Sequence, residues 1–568
     1  MKRSPITLFL ILAAVYVSPI RAAESTAGAP DFGPNVLIFD PSVSAADIQA
    51  RIAPITTRME ANQFGPERYA ILFKPGTYDV PVKVGFYTQV AGLGRNPNDT
   101  VLNGKIVASA QWMRYNATCN FWRAVENLYA RNETGMLFAV SQGTELRRLH
   151  IANSLTLAEN GWSSGGFFAD CKIDGEVNSG SQQQWLARDS KFEKWNKWNW
   201  NQVFVGCEGA PAGNFPEQAY TVVDKSPVTR EKPYLVFEKG QYAVVVPDLR
   251  KDAAGVSWEK GTAPGKTIPL DQFYIARSDR DTAATINAAL KAGQHLLLTP
   301  GRYSLSESLR VTKPDTVVLG IGYATLMPEG GVPALEIADV DGVKVGGILF
   351  DATRKNTRTI LQVGQAGSAL SHAENPICLY DIFVRVGGGI AGQADCMVTL
   401  DANDIIADNL WLWRADHGEG VGWNDNKNEN AIVVNGRDTT IYGLFAEHTQ
   451  GYQTVWNGEN GHLYFYQSEM PYDVPSQGAW KHGTVNGFAS YKVGDHVKNH
   501  EAWGMGVYCY FSQHQSIWAD CAIETPPGDG IKLHHLTSIH LNGDGGIKHV
   551  VNDRGALVQA GARKATLQ

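Results

Sequence analysis

"GLFAEHTQGYQTVWNGENGHLYFYQSEMPYD" runs from Gly443 to Asp473, and within it an apolar run ends twice in a carboxylate. The first phrase, GLFAEHT, carries Glu447; the second, YFYQSEMP, carries Glu469, 22 residues later. A strand, a turn and a second strand fit that interval, and no helical pattern lies between them. Parallel strands ordinarily need helical crossovers, so strands repeated without them read as coils of a solenoid. The two glutamates then occupy equivalent places in neighbouring coils. Adjacent parallel strands lie roughly 4.7–4.9 Å apart, which stacks the side chains on one face.

Further segments of the same kind, ALEIADVDGVKVGGILFDA and AIVVNGRDTTIYGLFAEHT among them, recur along the chain with Gly, Asn and Asp between short apolar strands. A β-sandwich would instead require antiparallel hairpins with tight two-residue turns, and these are few. The chain also repeats itself. ERYAILFKPGTYDVPVKVGFYTQVAGLG follows the amphipathic SAADIQARIAPI, and QHLLLTPGRYSLSESLRVTKPDTVVLGIG follows DTAATINAALKAG. Pro75-Gly76 answers Pro300-Gly301, and Gly92-Leu93-Gly94 answers Gly320-Ile321-Gly322. Each half therefore opens with a helix, a strand, a Pro-Gly turn and a further strand. The expectation is an all-β protein of two tandem parallel β-helix domains, residues 24–214 and 271–568. Residues 215–270, where the rhythm breaks, connect them.

At 568 residues two domains are the natural prior. A net charge of −7 and the lack of a basic tract argue against a nucleic-acid partner. The front of the chain, MKRSPITLFLILAAVYVSPIRAAES, has a basic start, an apolar stretch from Ile6 to Val17 and Ala22-Ala23 as a cleavage region. That is the pattern of a secretory signal peptide over residues 1–23, too short in its apolar part to span a bilayer comfortably. The expectation is an exported protein, extracellular or periplasmic, with no membrane partner and acting as a monomer. Seven cysteines lie scattered without C-x-x-C or metal-ligand spacing, and their odd number leaves at least one thiol unpaired. A bridge between Cys509 and Cys521 is left open in an exported protein, and buried thiols are the simpler reading for most of the set.

Reading one coil back, NLWLWRADHG aligns with TIYGLFAEHT and adds Asp416 as a third rung, with His417 and His448 following in parallel. The interval from Asp416 to Glu447 is longer, and GVGWNDNKNEN reads as an inserted loop that absorbs the excess. Stacked acids repel one another and raise a pKa. Polar ladders also occur in solenoids as simple caps on backbone amides, so the ladder alone marks a site only in probability. Trp411, Trp413, Trp456, Tyr464, Tyr466 and Tyr472 crowd the same region. Paired carboxylates among aromatics are the apparatus of glycoside hydrolysis, in which one protonates the leaving oxygen and the other activates water or attacks the sugar. Neighbouring rungs favour retention and wider spacing favours inversion; the column permits either.

WLWRADHGEGVGW, GLFAEHTQGYQTVWNGENG and YFYQSEMPYD, with SGSQQQWLARDS and REKPYLVF upstream, resemble glycoside hydrolase family 55. With the paired openings, the resemblance covers nearly all of the chain beyond the leader. It implies an exo-acting β-1,3-glucanase built from two right-handed β-helices and working with inversion, without a cofactor or metal. It implies Glu469 as the general acid and Glu447 as its partner on the water side. Gln182, Gln183 and Gln184 would face the cleft from the first domain, and Tyr472 would contact the sugar. Asp416, His448 and Trp456 are further candidates for the substrate site.

KWNKWNWNQVF, Trp195 to Phe204 in its core, is either a sugar subsite, with indoles stacking on rings, or a packed seam between domains. RADHGEGVG holds Asp, His and Glu, but a loop-shaping role outweighs a metal site. Two rivals remain at this stage. A polysaccharide lyase on the same fold would want several cations beside the substrate, and only Arg414 sits among the acids. A non-catalytic glycan-binding protein would keep the fold without needing both glutamates.

Overall fold

Ser44 caps the helix Ala45–Met59 by accepting a hydrogen bond from the Asp47 N–H, and Thr282 with Thr285 forms a capping box on Ala283–Lys291. The first helix turns Ile48, Ile52 and Met59 inward and the second Ile286 and Leu290, each covering the first coil of a stack of strands. A solenoid needs such a cap, because its first strand otherwise offers a bare edge. After each helix come the strands that the paired openings predict. They are Tyr69–Phe73, Gly76–Tyr78 and Thr88–Gly92 in the first half, and His295–Leu298, Arg302–Leu305 and Val317–Pro328 in the second.

The computed structural model describes residues 30–513 and 516–568, so the leader read over residues 1–23 lies outside the described residues. Within the unit Phe32–Gln568, nine strands from Val36–Phe39 to Tyr220–Val223 pair in parallel into one sheet, and six- and five-stranded parallel sheets complete the coils. Residues from Phe273–Ala276 onward build a twelve-stranded and a ten-stranded sheet in the same way. The last strand, Lys564–Leu567, closes the larger sheet antiparallel. The molecule is thus two tandem parallel β-helices. Between them lie antiparallel strands, with Tyr234–Glu238 on Gln241–Pro247 and that strand on Gly265–Pro269.

The burial pattern tells which sheets face each other. Ile406–Arg414 and Thr440–Glu447 are buried at every residue, because one face lines the coil and the other packs on the neighbouring β-helix. Thr357–Val363, on the smaller sheet, is exposed at Arg358 and half-buried at Gln362, and so meets water on one side. Seven successive strands of the larger sheet, from Lys344–Asp351 to Ile531–Gly543, carry a left-handed residue at the same register, and these stack in a column: Gly347, Asp381, Asn409, Gly443, Phe465, Gly504 and His535.

Aromatic rings and a buried ionic network join the two β-helices. Arg147 of the first binds Asp381 and Asp408 of the second at 2.6 and 2.8 Å, and Arg188 binds Asp408 and Glu231 at 2.8 Å. Lys232 reaches Glu126 and Asp381 at 2.8 and 2.9 Å. Glu231 and Lys232 belong to the REKPYLVF phrase, whose place in the sequence is explained by this seam. All seven cysteines are free thiols, so Cys509 and Cys521 are not paired.

Candidate active site

Glu447 and Glu469 end adjacent strands of the larger sheet and are register partners, as the repeated phrase predicts. The third rung is different. Glu447 faces Trp413, not Asp416, because the preceding strand stops at Arg414 and Asp416 lies beyond its end. The coil before Glu447 is therefore 34 residues long rather than 31, and the column at this level reads Arg385, Trp413, Glu447, Glu469 and Tyr508.

Glu447 is 3% exposed and Glu469 9%. Both Glu447 oxygens are taken by N–H donors: Gln142 Nε2 donates to Oε1 at 2.8 Å, and Trp411 Nε1 donates to Oε2 at 2.8 Å. Ser164 Oγ donates to the Gln142 carbonyl at 3.0 Å, fixing which end of that amide faces the acid. Glu469 accepts from the Tyr472 hydroxyl on Oε2, and the Gln467 amide lies 3.3 Å from Oε1. Gln453 holds the Glu469 carbonyl at 2.9 Å, and the His448 N–H donates to that same carbonyl at 2.8 Å. Arg414 grips Asp473 with both arms of its fork, at 2.8 and 2.9 Å, and so anchors the turn that carries Tyr472.

Burial raises both acids. Glu447 is pushed well above the usual carboxylate range by desolvation and by the charge of Glu469, against the pull of the Trp411 and Gln467 hydrogen bonds. Glu469 is raised by desolvation, opposed by His448 and by the Tyr472 hydroxyl. Two adjoining buried carboxyls oppose each other's ionisation. Asp416 stands apart as an anion. Burial would raise it, but a hydrogen bond to His417 at 2.8 Å and the charge of His448 hold it at about 2. His417, disfavoured by burial but bound to Asp416, is up at about 10.

The first β-helix completes the site with the starts of its nine-stranded sheet. Phe121 lies 4.6 Å from Trp411, which stacks on Trp413 at 5.1 Å, and Phe64 stacks on Trp413. The Gln63 amide meets His417 at 2.6 Å. Gly143 has φ +68°, and a Cβ there would stand 2.5 Å from the Trp411 ring. The turn that presents Gln142 therefore requires glycine on both counts.

Of the residues named from sequence, Glu447, Glu469, Tyr472 and His448 come together, with His448 edge-on to the Tyr472 ring at 4.4 Å. Gln184 lies at the seam beside Phe445, where a Cβ on Gly165 would meet both side chains, and it donates to the Ser164 carbonyl. Gln182 is not available to a ligand. Its amide is spent on the Gly165 N–H and on the Val140 and Leu157 carbonyls, all inside the turn. Gln183 takes part through its backbone, to Ser163, Trp200 and Asn201. Trp456 is wholly buried in the core of the second β-helix beside Tyr491 and His500, on the smaller sheet, which removes it from any substrate site. Gln142 and Ser164 were missed. They lie some 300 residues from the acids in sequence, and no motif surrounds them. Among the described residues no group of three or more His, Cys, Asp and Glu side chains could hold a metal ion. No described helix is long and apolar enough to cross a membrane.

The LAM55 pectate lyase-like domain matches residues 273–469, a span that ends on the second glutamate. An exo-beta-1,3-glucanase of Streptomyces sp. (strain SirexAA-E / ActE) is 47% identical over 548 residues, covering 95% of this chain and 90% of that protein. The structure of sacteLam55A from Streptomyces sp. SirexAA-E superposes with a TM-score of 0.93 at 46% identity, over 95% of this chain and 98% of that one. A glutamate-to-alanine variant of sacteLam55A in complex with glucose gives 0.92 at 46% identity, over 96% and 99% of the two chains.

Proposed function

The chain belongs to glycoside hydrolase family 55, and we propose that it releases glucose or short oligosaccharides from the end of β-1,3-glucan, with inversion, using Glu469 as general acid. The observation that carries the assignment is the difference in exposure of the two carboxyls, Glu469 at 9% and Glu447 at 3%. Both Glu447 oxygens accept N–H donors, a setting that suits the anion. Glu469, the more exposed of the two, is the carboxyl a sugar can reach and the one to give up a proton. From there it passes to the glycosidic oxygen as that bond to the anomeric carbon breaks.

Inversion is supported by the same contacts. A carboxylate tied on both oxygens is a poor nucleophile, whereas it can still accept a hydrogen bond from a water and orient its attack from the opposite face. Gln142 and Ser164 fix the carboxylate in that role. The exo mode and the β-1,3 linkage are supported by the name of the Streptomyces relative. Arg414 is committed to Asp473, which leaves little footing for a lyase that would neutralise a uronate there. The same proposal has the chain exported, supported by the basic and apolar pattern of its first residues.

Purified protein on laminarin, with product anomers followed by NMR, tests this reading. Glucose appearing first as the α-anomer is expected. The β-anomer first would contradict inversion, and internal fragments would contradict exo action. Binding without any release would return the protein to a glycan-binding role.

A further inference from the structure

Arg68, which leads into the strand Tyr69–Phe73 of the first β-helix, is 1% exposed. Its Nε donates to the Thr325 hydroxyl of the second β-helix at 2.9 Å, and its Nη1 to the Gly65 and Glu67 carbonyls at 2.8 and 3.0 Å. Its Nη2 is buried without a partner in the chain. The guanidinium sits over the Tyr87 ring, 3.6 Å from the centroid. Burial pulls it down only to about 10, so it stays charged near neutrality. Buried charges are ordinarily matched by an opposite charge, yet among the described residues no carboxylate forms an ion pair with this one.

The register places a second unmatched arginine beside it. Arg302 pairs with Thr325, Thr325 with Leu349, and Asp351 with Arg385. Paired residues, and residues two apart on a strand, share a face. Arg302, Thr325, Met327, Asp351 and Arg385 therefore lie on the face of the larger sheet that meets Arg68. Arg385 places two nitrogens on Asp351 at 2.8 and 2.9 Å and the third on the Tyr87 hydroxyl at 2.7 Å, so the carboxylate is spent. Arg302 donates to Met327 Sδ at 3.3 Å and, among the described residues, has no carboxylate partner. Three guanidinium groups thus share one carboxylate. Nε and Nη2 lie along one edge of a planar guanidinium, so the free Nη2 of Arg68 faces the same way as its Nε, toward Thr325 and the strand of Arg302. Arg302 is half-buried and Ser304 exposed, which opens the cluster to solvent there.

We propose that one halide ion binds at this margin of the seam, between the free Nη2 of Arg68 and the guanidinium of Arg302. A small monovalent anion suits the place, because the Tyr87 ring and Met327 make it partly apolar and a multivalent oxyanion would lose far more on leaving water. The ion supplies the missing opposite charge and ties the first β-helix to the second. It also braces a segment that reaches the acid site. Arg68 holds the Gly65 carbonyl and the Tyr87 hydroxyl donates to the Gln63 carbonyl, while the Gln63 amide meets His417 and Phe64 stacks on Trp413. The ion acts on that segment through Arg68 and touches no substrate.

The linewidth of chloride in NMR, read with purified wild type, Arg302→Gln and Arg68→Met, tests the site. Exchange with a bound position should broaden the line with wild type, bromide should reverse the broadening, and each variant should lose most of it. Arg302 is only half-buried, so Arg302→Gln decides the matter should Arg68→Met not fold. A line that wild type leaves sharp, or broadens no more than Arg302→Gln does, would overturn the site. In crystals soaked in bromide an anomalous peak is expected within hydrogen-bonding reach of Arg68 Nη2, and a water there instead would overturn it. Melting of wild type should come about 1–2 °C higher in sodium chloride than in sodium gluconate at one ionic strength. The same difference in Arg302→Gln would mean a general effect of salt and no bound ion. None of these readouts depends on hydrolysis, so the site and the hydrolase reading stand or fall separately.

Discussion

Tyr472 and Glu447 act on Glu469 in opposite directions, and pH profiles should separate them. The Tyr472 hydroxyl donates to the Glu469 carboxylate and stabilises its charged form. In Tyr472→Phe the acid loses that support, its pKa rises, and the alkaline limb of kcat/KM should move up by about one unit. Glu447, when charged, opposes ionisation of its neighbour, and the coupling is mutual. In Glu447→Gln the residual activity should lose its alkaline limb about one unit lower. Limbs that stay in place in both variants would remove Glu469 from the titration that governs activity. The two glutamates were legible because a repeated phrase marks them. Gln142 was not, since only the folded chain brings it to Glu447. Trp456 was misread because proximity in sequence to Glu469 hides that it lies on another sheet and points inward.

At the scale of the element, the turns and the register decide what reaches the acids. Gly143→Ala places a Cβ in a left-handed conformation and against the Trp411 ring. It should cost about 2 kcal/mol in urea unfolding and, by shifting Gln142, lower kcat by about tenfold to a hundredfold. A variant as active and as stable as wild type would show that the turn does not position Gln142. Coils were readable from short apolar strands with Gly, Asn and Asp between them, because a sheet buried on both faces needs such runs. The register of Asp416 was not, because 31 residues is a plausible coil and the true boundary depends on where the strand stops. That stop is set by Arg414, whose guanidinium turns out of the ladder to bind Asp473 and the carbonyls of Asn426 and His448.

Over the whole molecule, function depends on two β-helices held in one relation by buried charge. Arg188 is wholly buried, and its fork serves Asp408, Glu231 and Asp189. Burial would raise Glu231, but Arg188 holds it at about 2, below its ordinary 4.5. That contribution is fully present above about pH 4.5 and is lost as pH falls toward 2. Arg188→Met should therefore destabilise by about 3–5 kcal/mol at neutral pH, with the gap to wild type closing in acid. An equal gap at all pH would mean that packing, not charge, was lost. Duplication was visible in the paired openings, yet the way the halves face each other was not, since the residues that join them carry no local pattern. The most direct test of Glu469 as the acid compares Glu469→Ala with wild type on laminaritriose and on a dinitrophenyl β-glucoside, whose leaving group needs no proton. The account predicts a loss of about a hundredfold or more on the trisaccharide and little on the activated glucoside; equal losses on both would show that Glu469 is not the proton donor.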